Sequence, residues 1–393
     1  MSAASRHESR ASHTPPGSFA ARTGIREGLR AMGVVLLIAG PPVSADRAVA
    51  QSGPARARAS DDAAARVDTL FADYTVPGAP GAAVVVARGD SILLARGFGL
   101  ADVEHGTPVT PATAFRLASV TKQFTAAAVL ALVEQGALSL DDRLGELLPD
   151  VPRYAHDVRV RHLLAHTSGV PDYEALLGGG EGPQVKDRDV LALLHHSKAL
   201  YFPPGTKWRY SNSGYALLAL IVERTSGESF ARFLRRRVFD RAGMPTAVAH
   251  EDGVDTVVRR AYGHSLERGR WHRTDQNRTS AVLGDGGVYA SAEELAHWSA
   301  ALDRSAVLSE AMFRTATTPA VLASGERTSY GFGWFLDAHR GHRRQRHEGD
   351  SIGFRTAIQR YPDDGLTVIV LVNRGTAPVD ALSDGVADIF LAR

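Results

Sequence analysis

Strand-forming runs lie at both ends of this chain, with a long helical and loop-rich stretch between them. That placement constrains the fold more than any other feature. Gly81–Ala87 and Ser91–Gly97 are short, rich in Val, Ile and Leu, and separated by Arg88-Gly89-Asp90, a hairpin signal. Tyr330–Leu336, Arg344–Glu348, Gly353–Tyr361 and Leu366–Asn373 are of the same kind, and Pro362-Asp363-Asp364-Gly365 joins the last two as a tight turn. Residues 137–284 carry helical spacing broken at Pro171, Gly178–Gly180 and Pro203-Pro204-Gly205. The expected class is α+β: one antiparallel sheet built from both termini and flanked by helices at 61–75, 119–136 and 378–391, with a mainly α-helical domain inserted. The sheet domain is expected to comprise 61–136 and 285–393, the insertion 137–284, and 51–60 a linker.

Composition removes several classes of function. The chain has 393 residues, 44% hydrophobic and 22% charged, the profile of a globular protein. It has no cysteine, which excludes a disulfide scaffold, a thiol nucleophile and a Cys-ligated zinc or iron–sulfur site. Residues 1–50 hold six arginines and three acids and so carry +3, which leaves the rest of the chain at −1 of the overall net charge of +2. A near-neutral body gives no electrostatic reason to expect nucleic acid or an anionic membrane as partner. Ala31–Gly40 is an apolar run behind Arg26 and Arg30, too short for a bilayer, which takes about 20 residues. With Ala48-Val49-Ala50 after it, the segment 1–50 reads as a signal peptide with an extended basic region. The expectation is a periplasmic or secreted protein with no integral membrane segment after cleavage.

The chemistry concentrates at Ser119-Val120-Thr121-Lys122, which opens the apolar helix. Positions i and i+3 share one helix face, so hydroxyl and amine come together. Unpaired backbone N–H groups and the dipole at a helix start favour a developing oxyanion. The lysine is one of only four, against 41 arginines, and sits among Phe124, Ala126, Ala127 and Leu130. Desolvation lowers the pKa of a lysine, which suits it to accept the serine proton. Tyr210-Ser211-Asn212 ends a loop of turn formers that begins at Phe202, and His347-Glu348-Gly349 lies near a strand end.

Ser119-x-x-Lys122, Tyr210-x-Asn212 and His347-x-Gly349, in this order, resemble the serine β-lactamase and penicillin-binding protein superfamily. The likeness is to its class C β-lactamase, D-Ala-D-Ala carboxypeptidase and family VIII esterase branch. His162–Pro171 and Tyr330-Gly331-Phe332-Gly333-Trp334 also look like segments of that branch, and the resemblance spans about 61–393. It implies an acyl-enzyme on Ser119, with Lys122 or Tyr210 as the base. It also implies that Asn212 offers its amide to substrate, and that an oxyanion hole forms from the N–H groups of Ser119 and Asp350 beside Gly349. No cofactor and no metal are implied; the substrate would be a small ester, peptide or β-lactam. His347 stands where many β-lactamases carry lysine, and an ordinary histidine is mostly neutral at pH 7. A fixed cation for a β-lactam carboxylate is therefore missing unless Arg355 supplies it, which favours an esterase or peptidase-like hydrolase over a class C-like β-lactamase. Asp350 is an odd neighbour for an oxyanion hole.

Three rival signals weigh less. Gly349-Asp350-Ser351-Ile352-Gly353 matches a nucleophile elbow, but that fold needs a histidine after the serine, and none follows Ser351. His162 and His166 are four apart, yet lack a third ligand nearby, so packing or capping is expected rather than metal. A non-catalytic peptidoglycan- or ligand-binding relative would have no need of a base beside Ser119.

Overall fold

The computed structural model describes residues 54–391 apart from 179, 181 and 252. The expected signal peptide lies outside the described residues. Helix α1 (Pro54–Leu70) begins well before the position expected from sequence, so most of the presumed linker 51–60 is its first turns. Ser52–Arg393 is one compact unit, in which the inserted helices share a core with the sheet. Among the described residues, no helix is long and apolar enough to cross a membrane.

The sheet contains β1 (Ala82–Arg88), β2 (Ser91–Phe98), β3 (Phe335–His339), β4 (His342–Ser351), β5 (Phe354–Tyr361) and β6 (Leu366–Val372). Its order is β3-β4-β5-β6-β1-β2, so the last strand of the chain lies beside the first, and every pairing is antiparallel. Both faces are covered, which is why β1 and β6 read as unbroken apolar runs rather than alternating ones. Alternate residues still go to opposite cores. Val84, Val86, Val368 and Val370 pack with α1 and the closing helix α5 (Val379–Phe390). Ala83, Val85, Ile358 and Ile369 face the larger core, with α2 (Lys122–Glu134) and α4 (Ala292–Asp303). α3 (Asn212–Ser226) lies against α2.

Two local expectations change. Tyr330–Trp334 is not a strand; it bends through Gly333 (φ +79°), and β3 begins only at Phe335. There Gly333 approaches the backbone of Lys122 and Gln123 so closely that a Cβ would overlap it. Ser351 ends β4 at a hairpin into β5, paired with Phe354, and a strand–turn–strand is not the strand–turn–helix of a nucleophile elbow.

Ile358, Ile369 and Val85 form a cross-strand row, all fully buried. Ile369→Ala should cost about 2–5 kcal/mol, because the row cannot close over the lost volume. A urea titration followed by far-UV circular dichroism checks this; an unchanged midpoint would show that the sheet's larger core is loosely packed there.

Candidate active site

Ser119 reaches its place through a strained turn. Strand Ala114–Arg116 runs into Leu117, and Ala118 adopts φ +48°. A left-handed conformation is costly for a residue with a Cβ, and such strain gathers at functional sites. The turn then tightens into a 3₁₀ segment, Ala118–Thr121, before α2 proper. Ser119 therefore precedes the α-helix rather than lying in its first turn. β3 pairs with β4 only across His342–Arg346, so the edge from His347 onward is left to face this turn. Gly349 makes the approach possible: an added Cβ would overlap the Leu117 carbonyl and the Thr356 hydroxyl. Thr356 Oγ1 donates to that carbonyl at 2.7 Å and pins turn to sheet.

Lys122 is fully buried, and its Nζ donates to three oxygens: Ser119 Oγ at 3.1 Å, Asn212 Oδ1 at 2.8 Å and the Asp285 carbonyl at 2.9 Å. Three N–H donors meeting three acceptors is the bonding of an ammonium. Asn212 is held at both ends, since its Nδ2 donates to Glu174 Oε1 at 3.2 Å and its backbone N–H to Asp172 Oδ2 at 2.6 Å. Burial raises the Glu174 carboxyl, with Asp172 adding to the effect and Lys122 opposing it. Burial also pushes Asp285 up to about 7 against the pull of Lys122, and Tyr173 Oη donates to its Oδ2 at 2.9 Å.

Tyr210 stands over Lys122, whose Nζ is 4.9 Å from the ring centroid. Behind Tyr210 lies His166, the rings 4.2 Å apart and tilted by 33°. His166 is buried and left-handed (φ +57°), and burial holds its imidazole well below the usual histidine range. Its Nδ1 accepts from the Ser211 N–H at 3.2 Å, and its carbonyl accepts from the Arg209 N–H at 2.9 Å. The loop carrying Tyr210 thus docks on His166 through ring and backbone. The pair packs and caps as expected: His162 Nδ1 accepts from the Arg159 N–H at the start of a short helix.

His347 is also buried. Its Nδ1 lies 2.7 Å from the Glu348 carbonyl, which can only accept, so Nδ1 carries the proton and Nε2 accepts from Tyr330 Oη at 3.0 Å. Burial, with Lys122 adding, pushes its pKa down to about 3. The imidazole is a neutral brace behind the site, not a cation in it. Arg355 does not replace the missing charge either: its Nη1 lies 2.7 Å from Asp350 Oδ1 and also donates to the Ser351 and Phe354 carbonyls. The sequence pattern brings together Ser119, Lys122, Tyr210, Asn212, His347, Gly349 and Asp350. It misses Glu174, Asp285, the Tyr330 hydroxyl and the role of His166 behind Tyr210; only His166 and Tyr330 lay in segments with any sequence signal.

Two cavities meet at Ser119. One, about 340 Å³, is lined by Arg116, Glu174, Asn212, Arg278 and Asp285. The other, about 550 Å³, is lined by Tyr210, Phe335, His347, Arg355 and Asp380. Ser119 and Asp350 line both. The Ser119 hydroxyl, the buried Lys122 amine and a free strand edge converge on one point between two pockets. The beta-lactamase family model matches residues 67–392, nearly the whole described chain. The chain belongs to the beta-lactamase family. It is 33% identical over 306 residues to penicillin-binding protein 4* of Bacillus subtilis, covering 74% of this chain and 67% of that one. It is 31% identical over 334 residues to a D-aminopeptidase of Gluconobacter oxydans, covering 81% of this chain but only 60% of that protein. A penicillin-binding protein from Bacillus halodurans superposes with a TM-score of 0.70 at 30% identity, over 82% of this chain and 98% of that one. The protein is a serine hydrolase of the β-lactamase and penicillin-binding protein superfamily.

The buried neutral His347 has a consequence for stability. Between its ordinary value near 6.5 and its folded value near 3, the unfolded chain binds a proton that the folded chain refuses, so His347 lowers stability as pH falls through that window. His347→Gln should be less stable than the parent at pH 7.5, with the gap closing by up to about 1.4 kcal/mol per pH unit as pH falls from about 6 to 4. Urea midpoints across that range test this; a gap constant with pH would mean that His347 is charged in the fold.

Proposed function

We propose that this protein hydrolyses small esters and amides through an acyl-enzyme on Ser119, and prefers leaving groups without a carboxylate. The observation that carries the preference is the absence of a free cation on the Tyr210 side of the nucleophile, among the described residues: His347 is neutral and Arg355 is paired. Ser119 Oγ accepts from Lys122, so its own hydrogen is free to leave toward Tyr210, which lines the same cavity. Attack on the substrate carbonyl then passes the serine proton to Tyr210 while the Tyr210 proton moves to the leaving group. Lys122 stays an ammonium and holds Oγ in line. The oxyanion is received by the N–H groups of Ser119 and Asp350. Because Tyr210 lines only the larger cavity, the leaving group belongs there and the acyl group in the smaller one beside Asn212. The similarity to a D-aminopeptidase and to a penicillin-binding protein supports an amide of a small D-residue as substrate class.

Purified protein should cleave p-nitrophenyl esters and D-alanine p-nitroanilide with higher kcat/KM than a chromogenic cephalosporin. Lys122→Ala and Tyr210→Phe should each lower kcat by roughly 10²–10⁴-fold, and the double variant by little more, since both act on one proton network. A cephalosporin turned over best would overturn the preference, and wild-type rates in Tyr210→Phe would remove the relay. Export belongs to the same reading, supported by the apolar run at 31–40 and Ala48-Val49-Ala50. N-terminal sequencing from the native host should find a start near Gln51; a cytoplasmic protein beginning at Met1 would contradict it.

A further inference from the structure

Asp350 sits where a carboxylate is least welcome, on a residue whose own N–H belongs to the oxyanion hole proposed above. It lines both cavities around Ser119. Its cross-strand partner is Arg355, whose guanidinium holds it at 2.7 Å. The two side chains are unequally placed: Asp350 is 75% exposed and Arg355 only 24%. Arg355 is anchored from beneath by the Ser351 and Phe354 carbonyls, so an arriving substrate meets the carboxylate first. The larger cavity is otherwise acidic. Glu348 is bound by Arg346, which also bonds Asp337, and Asp380 lies at the start of α5. Arg355 is the one arginine or lysine lining that cavity among the described residues.

We propose that Asp350 and Arg355 form a charge gate on the leaving-group side of Ser119, which leaves the oxyanion site neutral and turns away substrates whose leaving group carries a carboxylate. The gate rests on the proposed placement of the leaving group beside Tyr210. Each charge has a separate duty. Arg355 cancels the repulsion that Asp350 would exert on the oxyanion, and Asp350 occupies the guanidinium that would otherwise bind a carboxylate. Removing the acid frees a cation, and removing the base exposes an anion, so the two deletions act on substrate choice with opposite sign.

Phenyl acetate and 3-carboxyphenyl acetate share an acyl group and differ by one leaving-group charge. In Asp350→Asn, the ratio of kcat/KM for the carboxylated over the neutral ester should rise roughly three- to tenfold, the worth of one partly exposed charge pair. In Arg355→Gln, the ratio should fall below that of the parent. The double variant should return close to the parental ratio, and every shift should shrink in high salt, because the effect is Coulombic. Melting curves identify a variant that fails to fold, and the other single variant then decides by the sign of its own shift. A ratio unmoved in both single variants, shifts of the same sign, or shifts indifferent to salt would overturn the gate. If the parent protein itself prefers the carboxylated ester, the proposed leaving-group preference fails, while opposite-signed, salt-sensitive shifts would still establish that the pair sets the charge selectivity.

Discussion

The site hangs on one buried ammonium. Lys122 has no exposure to water, and an unpaired charge there would cost several kcal/mol. Its three N–H groups reach a serine one turn away, an amide 90 residues on and a carbonyl 163 residues on. The serine turn, the start of α3 and the short helix Leu283–Gly286 are thereby tied to a single nitrogen. The three bonds of Nζ go to uncharged oxygens, and the nearby carboxyls of Glu174 and Asp285 are both raised by burial, so the lysine remains a donor to Ser119 Oγ.

Around that nitrogen the protein places groups that are polar but uncharged. His166 and His347 both lie against the Tyr210 ring and are both held neutral by burial, with Lys122 adding to the effect. Two imidazolium ions beside an ammonium would repel strongly in so dry a setting, and the fold avoids this by desolvating them. The result is an aromatic and imidazole frame that fixes the phenol of Tyr210 without competing for protons near neutral pH. Two residues of this frame take left-handed conformations: Ala118, next to Ser119, and His166, whose ring packs behind Tyr210.

Two of the charge pairs lie at the rim of the larger cavity. Arg355 with Asp350 and Arg346 with Glu348 convert a strand edge dense in ions into one with little net field. The superfamily frame is common to enzymes with different substrates, so the surface facing the leaving group is where this chain's own chemistry is written.

The sequence by itself determined the class of fold and which residues are candidates for the chemistry. Apolar runs at 81–97 and 344–373 report a sheet from both termini, because short apolar, β-branched stretches and the turn residues between them are local properties. The spacing of Ser119 and Lys122 reports a shared face for the same reason. Helix α1 escaped notice before residue 61 because its first turns are Ala- and Arg-rich and carry no apolar stripe. The tertiary structure alone decided charge states and partners. Whether His347 is a cation, whether Arg355 is free, and which acid stands beside Asn212 depend on burial and on contacts between residues far apart in the chain. No periodicity encodes those, since an ionisation equilibrium is set by the water removed and the charges brought near, and both are fixed only when the chain has closed around Lys122.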